Sequence, residues 1–214
     1  MAEYDGPTYA DNPYSSPLRR WIYDYMVKEF PMEKTYRSDS SDASDYQKFE
    51  KWTQCTQDKG RAEKYSYHYL FDMWAGKASF STCTSFVAIF VSAIRINGGL
   101  MKLGKNGVPI TKGVPVFQTL NLSLNKKGWH EASETNNNPR IGDIFAVGPV
   151  SNPHHVGIIL NSVGSLWQTI EAGGGVIGQY QSISRNGWHA PNPGVCGWIN
   201  IDEYFDTWSN PKYS

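Results

Sequence analysis

Phe80-Ser81-Thr82-Cys83-Thr84-Ser85-Phe86-Val87-Ala88-Ile89-Phe90-Val91-Ser92-Ala93-Ile94 is the stretch that decides the architecture of this chain. It predicts a helix with a cysteine in its first turn. Ser81 and Thr82 are N-cap residue types, whose hydroxyls accept from free backbone N–H groups. Asn97-Gly98-Gly99 supplies a stop. The apolar run from Phe86 to Ile94 covers every face, so the helix belongs deep in the core. A thiol at a helix N-terminus feels the positive end of the macrodipole, which favours the nucleophilic thiolate. A buried helix also holds such a group rigidly, as a catalytic site requires. A lone cysteine in an apolar run is usually just a small core residue. Partners elsewhere in the chain decide between the two readings.

On the N-terminal side the pattern is helical. Residues 1–16, polar and rich in Pro, Tyr and Ser, read as an extended arm. Ser16-Pro17 opens a helix, with Ser as N-cap and Pro at the first helical position. Leu18, Trp21, Ile22, Tyr25 and Met26 follow at the spacing of one helical face, and Pro31 ends it. The Ser/Asp-rich stretch within residues 33–45 reads as a loop. Its acidic end starts a helix over residues 43–56 that buries Tyr46, Phe49 and Trp52. A further short helix is expected over residues 62–75, leading to the cysteine.

Beyond Gly99 the character changes. Residues 100–128 read as loops with short strands or turns. From Arg140 onward the pattern is β: strands at 141–147, 155–160 and 166–172, a turn at Gly173-Gly174-Gly175, then strands at 176–183 and 195–201. Short strands at regular spacing suggest an antiparallel meander or half-barrel. Helices first and sheet afterwards make the fold class α+β, in one domain of 214 residues.

Composition narrows the function. Hydrophobic residues make up 40% of the chain and charged residues 19%, the signature of a globular protein. A net charge of +0 argues against a broad electrostatic footprint for nucleic acid or anionic lipid. Neither nucleic acid nor membrane is therefore an expected partner. The 8 Trp and 13 Tyr are residue types that stack on sugars, line grooves or simply fill cores. Cys55, Cys83 and Cys196 are too few for a disulfide framework, and no C-x-x-C pair suggests structural zinc. Either Cys55 pairs with Cys196, or all three are reduced, which is the preferred reading. The N-terminus lacks a basic region followed by an apolar one, so no Sec-type signal is expected. No run is long enough to span a bilayer.

A cysteine nucleophile needs a base, and the base needs an orienting group. Of His68, His130, His154, His155 and His189, His155 is the best placed, because it begins the apolar strand Val156-Gly157-Ile158-Ile159-Leu160. The next strand carries Gln168 and Glu171, either of which can accept from the imidazole and fix its tautomer.

The chain here resembles the NlpC-type and CHAP-type papain-like peptidases. Cys83-Thr84-Ser85-Phe86-Val87 resembles their nucleophile motif, and Pro139-Arg140-Ile141-Gly142-Asp143-Ile144-Phe145 resembles the Pro-x-x-Gly-Asp strand that follows it. His155-Val156-Gly157-Ile158-Ile159 resembles the His-Val-Gly-Ile motif that carries the base, and Thr169-Ile170-Glu171-Ala172 the later strand with the third residue. The likeness covers residues 75–205 and leaves residues 1–75 as a helical extension on a papain-like core at 76–205. Departures are His154 where a small residue is common, the absence of a His on the third strand, and a long segment at 100–138.

The resemblance implies hydrolysis of amide bonds in bacterial peptidoglycan, with Cys83 as nucleophile, His155 as base, Glu171 as orienting group and no metal or organic cofactor. It implies an oxyanion site made by the Cys83 N–H and a donor from the preceding segment, with Tyr67, Tyr69 and Ser81 as candidates. It further suggests a toxin made in the cytoplasm, delivered by a type VI secretion apparatus into the periplasm of target bacteria and paired with an immunity protein. A phage lysin of the same chemistry, a papain-like acyltransferase, and a non-catalytic glycan- or protein-binding module are the alternatives.

Overall fold

The computed structural model describes residues 16–32, 34–53, 82–100, 102–103, 109–110, 128–134, 138–150, 153–176 and 180–213. The expected helix at 62–75, the arm at 1–15, and Cys55, Tyr67, Tyr69, His68 and Ser81 lie outside them.

The three longer helices precede the main run of antiparallel strands, and the mixture of helix and antiparallel sheet is the α+β class. In order they are α1 (Pro17–Glu29), β1 (Thr35–Arg37), α2 (Ala43–Thr53), α3 (Thr82–Asn97), β2 (Lys102–Leu103), β3 (Pro109–Ile110), β4 (Trp129–Glu131), β5 (Ile144–Val147), β6 (His155–Val163), β7 (Leu166–Val176), β8 (Tyr180–His189), β9 (Val195–Ile199) and α4 (Ile201–Tyr204). A seven-stranded sheet has the order β1-β8-β7-β6-β5-β9-β4, and β2 pairs with β3 separately. Strands β5 to β8 are a meander, as expected. The last strand, β9, returns to lie beside β5 instead of extending the meander at β8. The chain divides into two compact units, one of Met1–Lys34, Asn121–Ile170 and Arg185–Ser214, the other of Thr35–Leu120 and Glu171–Ser184.

In the first unit, α1 begins as its sequence dictates: the Ser16 hydroxyl accepts from the Arg19 N–H at 3.1 Å, and Pro17 occupies the first turn. Leu18, Trp21, Ile22 and Met26 are buried, while Tyr25 is half-buried and stacks on Trp21 with ring centroids 5.0 Å apart. Arg19 and Tyr23, outside that apolar spacing, are buried as well. Arg19 lies in a cage. Its Nη1 donates to Asp143 at 2.8 Å and to the Ile141 carbonyl at 2.6 Å, its Nε to Asp202 at 2.6 Å, and its Nη2 to Asn200 at 2.8 Å.

Residues 141–143 form a turn ahead of β5, not the first part of a strand. Gly142 has φ +88, and a Cβ there would stand 2.5 Å from Ile22 Cδ1 on α1. Only glycine satisfies both conditions. Phe145, Val147, Ile159, Trp167 and Trp198 form one apolar cluster on one face of the sheet, with Val195 against it.

In the second unit, α2 starts at Ala43 as expected, with the Asp42 carboxylate accepting from the N–H groups of Ser44 and Asp45. Phe49 and Trp52 are buried; Tyr46 is only half-buried. Just ahead of the Ser/Asp-rich loop stands an unexpected strand: Tyr36 of β1 lies opposite Ile183 of β8 and is buried. The three glycines at 173–175 continue β7 instead of ending it. Gly173 has φ +97 and Gly175 φ +127, so the strand runs on through a conformation that residues with a side chain rarely adopt.

Candidate functional site

The 16-residue helix α3 positions Cys83. Phe86, Val87, Phe90, Val91 and Ile94 are all buried, each worth about 1.5–3 kcal/mol of apolar burial. Phe86 packs on Trp52 of α2 with ring centroids 5.6 Å apart. The predicted stop is a Schellman ending: Gly99 has φ +67, its N–H donates to the Ile96 carbonyl, and the Leu100 N–H donates to Arg95. A helix fixed along its length and at its end leaves its first turn little freedom.

Cys83 is the second residue of that first turn, a thiol outside any disulfide at 5% exposure. Thr82 beside it is buried too. Strand β7 passes close by: a Cβ built on Gly173 would stand 3.6 Å from both the backbone nitrogen and the Cβ of Cys83. A glycine there keeps the strand from placing a side chain on the cysteine. Glu171 lies two residues earlier on β7, half-buried, in the same unit as Cys83.

His155 belongs to the other unit, where it opens β6 opposite Val147. Its half-buried ring meets Phe145 edge-on, with centroids 6.2 Å apart. Phe145 in turn meets Trp167 at 5.8 Å. His155 thus shares a sheet face with Phe145 and Trp167. His154 is different. It is exposed and lies over Gly148, where a Cβ would stand 2.4 Å from the His154 Nδ1.

The same alternation places the two candidates on β7. Thr169 pairs with Ile159 and Ile170 with Ile158. Trp167 and Thr169 therefore lie on the His155 face, and Gln168 on the opposite one. Gln168 is 1% exposed, and its Oε1 has no hydrogen-bond partner among the described residues. Glu171 follows the phase of Trp167 and Thr169.

The structure adds residues the motif reading passed over. Asp143, read only as part of a strand motif, is 1% exposed and accepts from Arg19, from the Arg140 N–H at 2.8 Å and from the Ile201 N–H at 3.0 Å. Burial pushes its carboxyl up, against the pull of the Arg19 guanidinium. This aspartate ties α1, the start of β5 and α4 together. The Thr169 hydroxyl lies 3.1 Å from His189 Nε2, and His189 Nδ1 is 2.8 Å from the Ala190 carbonyl. A ring that donates from Nδ1 to that carbonyl accepts at Nε2, so Thr169 is the donor. Thr169 has no exposed surface, which denies this hydroxyl–imidazole pair a substrate.

Cys196 is a free thiol, so it does not pair with Cys55; its Sγ donates to the Ala146 carbonyl at 3.5 Å, and burial pushes the thiol up. Among the described residues, no cluster of three or more His, Cys, Asp or Glu is placed to hold a metal ion, and no helix is long and apolar enough to cross a membrane. The chain matches no family model, no curated protein and no solved structure.

Proposed function

We propose that this chain is a cysteine-dependent hydrolase of amide bonds in bacterial peptidoglycan, built on a papain-like scaffold of the NlpC/CHAP kind. The observation that carries the proposal is the setting of Cys83: a reduced thiol in the first turn of a buried helix, with a glycine strand beside it. The helix N-terminus favours thiolate, and the packed helix fixes its direction of attack. The order of the four motifs along the chain supports the rest of the assignment.

In this mechanism the Cys83 thiolate adds to the carbonyl carbon of the scissile amide. The Cys83 N–H helps to hold the oxyanion. The C–N bond breaks as His155 gives its proton to the departing amine, leaving a thioester. Water, losing its proton to His155, then releases the acid and regenerates the thiol. Glu171 orients His155 and stabilises its imidazolium form. No cofactor takes part. A toxin delivered by type VI secretion, with an immunity protein as partner, is the setting we favour over a phage lysin.

Mass spectrometry of purified peptidoglycan after incubation with the protein tests this reading. Fragments bearing new amine and carboxyl ends are expected with the wild type and not with Cys83→Ala. Identical fragment patterns from the two proteins, or none from the wild type, would overturn it.

A further inference from the structure

A cavity of about 350 Å³ opens in the first unit, lined from the β6–β7 turn and from the connection between β8 and β9. This is the lower part of the size range of small-molecule sites. Trp167 and Trp198 both line it, with ring centroids 6.4 Å apart and planes at 85°. Both are nearly buried, at 6% and 5% exposure, so only a small part of each ring reaches the cavity. Each brings to the lining an indole N–H, which can only donate. Pro139, Pro191 and Pro193 line the cavity with rigid apolar surface.

The other lining groups are polar and almost all uncharged. Asn138, Ser165 and Asn192 contribute amides and a hydroxyl. The Asn192 Oδ1 accepts from the Gly194 N–H at 2.8 Å, which fixes the amide and leaves its Nδ2 as a donor. Glu134 is the one charged lining residue, and it sets a negative charge at the rim. An anionic ligand is disfavoured there, and a cation would meet a single carboxylate that His130 already contacts at 3.2 Å.

We propose that this cavity binds one or two rings of an uncharged saccharide. A pyranose combines C–H surface, which suits the proline walls, with hydroxyl oxygens that accept from indole and amide N–H groups. Two indoles at right angles do not form the flat aromatic groove that a polyproline helix docks on. The site lies outside the Cys83, His155 and Glu171 assignment and does not depend on it. Only the source of the sugar, a wall glycan strand, rests on the hydrolase reading.

The test uses the full-length Cys83→Ala protein, so that turnover cannot obscure binding. The probes are a β-1,4-linked N-acetylglucosamine tetramer and a β-1,4-linked glucose tetramer. Indole N–H signals of Trp167 and Trp198 are followed by NMR, and affinity by calorimetry. Saturable shifts of both signals with either sugar support the proposal; the tetramer that binds tells which glycan is the source. Trp198→Phe, which keeps an aromatic ring in the core, and Asn192→Asp, which keeps the Oδ1 acceptor, should each weaken binding roughly tenfold, the effect of one or two lost hydrogen bonds. No binding of either tetramer, binding that leaves both indole signals unmoved, or shifts caused by a proline-rich peptide and not by sugar would overturn the proposal. Peptidoglycan cleavage by the wild type is scored separately, so failure here leaves that reading standing.

Discussion

Gly173 of β7 lies so close to Cys83 of α3 that a Cβ on it would stand 3.6 Å from both the nitrogen and the Cβ of the cysteine. That is ordinary van der Waals distance, so alanine fits the space. The backbone is the obstacle: at φ +97 a side chain is strained, at about 1–3 kcal/mol. Gly173→Ala should lower the urea midpoint by that amount and leave Cys83 open to iodoacetamide. Gly173→Leu should in addition shield the thiol and slow its alkylation in the native protein. Cys196 is the internal control, because its thiol is pushed up by burial and lies far along the chain on β9. Equal Cys83 rates in Gly173→Leu and wild type would show that the strand does not guard the thiol.

Arg19 is expected to be among the costliest positions to change outside the core. It and Asp143 are each 1% exposed, with 2.8 Å between their charged atoms. Arg19→Met removes one partner and leaves a buried carboxylate. Breaking a buried pair in this way costs about 3–5 kcal/mol. Adding Asp143→Asn to Arg19→Met should cost less than the sum of the two single changes, since the uncompensated charge disappears. Chemical denaturation of the three variants measures the coupling; strictly additive losses would mean that the pair is not a unit.

Much of this was readable locally and some was not. Ser16-Pro17 and Gly98-Gly99 carry their signals within a few residues, and both helix ends formed as read. Tyr36 carries no such signal. Its three-residue strand exists because Ile183, far along the chain, supplies the partner. The glycines at 173–175 read as a turn because glycine weakens strands, yet cross-strand pairing carries β7 through them. Nothing near Arg19 in the sequence marks it as buried, because its carboxylate partners lie more than a hundred residues away. In the candidate site, the place of Cys83 in its helix was legible. The role of Asp143 as a buried tie was not, because a Gly-Asp motif does not say what the carboxylate touches.

Alkaline pH should weaken the first unit through Tyr25. Burial, and then the charge of Glu29, push its phenol up to about 12 from an ordinary 10.0. The folded form therefore holds a proton that the unfolded form has lost between these values. The stability this contributes is fully present below pH 10.0 and is lost as pH rises through about 12. Tyr25→Phe removes the group, so its stability should fall less steeply across that window. Urea midpoints of both proteins across it provide the measurement, and parallel pH profiles would count against the assignment.

The last prediction separates Glu171 from Gln168. The two lie three residues apart on β7, so alternation puts them on opposite faces. Thr169 opposite Ile159, and the Phe145 ring between His155 and Trp167, fix the face that His155 shares. Gln168 is on the other face, and its Oε1 is buried without a partner among the described residues. A residue turned away from the imidazole cannot set its tautomer. Under the proposed mechanism, Glu171→Ala should lower kcat on peptidoglycan by roughly ten- to ten-thousand-fold, the range seen when an orienting carboxylate is lost. The fold should persist, because Glu171 is half-buried, not a core residue. Gln168→Leu removes an unsatisfied polar atom from an apolar face and should leave kcat near wild type. Stability separates the two roles further, since a merely structural Gln168 can shift the melting temperature without shifting kcat. A large fall in kcat for Gln168→Leu beside a near-normal Glu171→Ala would move the orienting role to Gln168 and require its side chain to reach the His155 face.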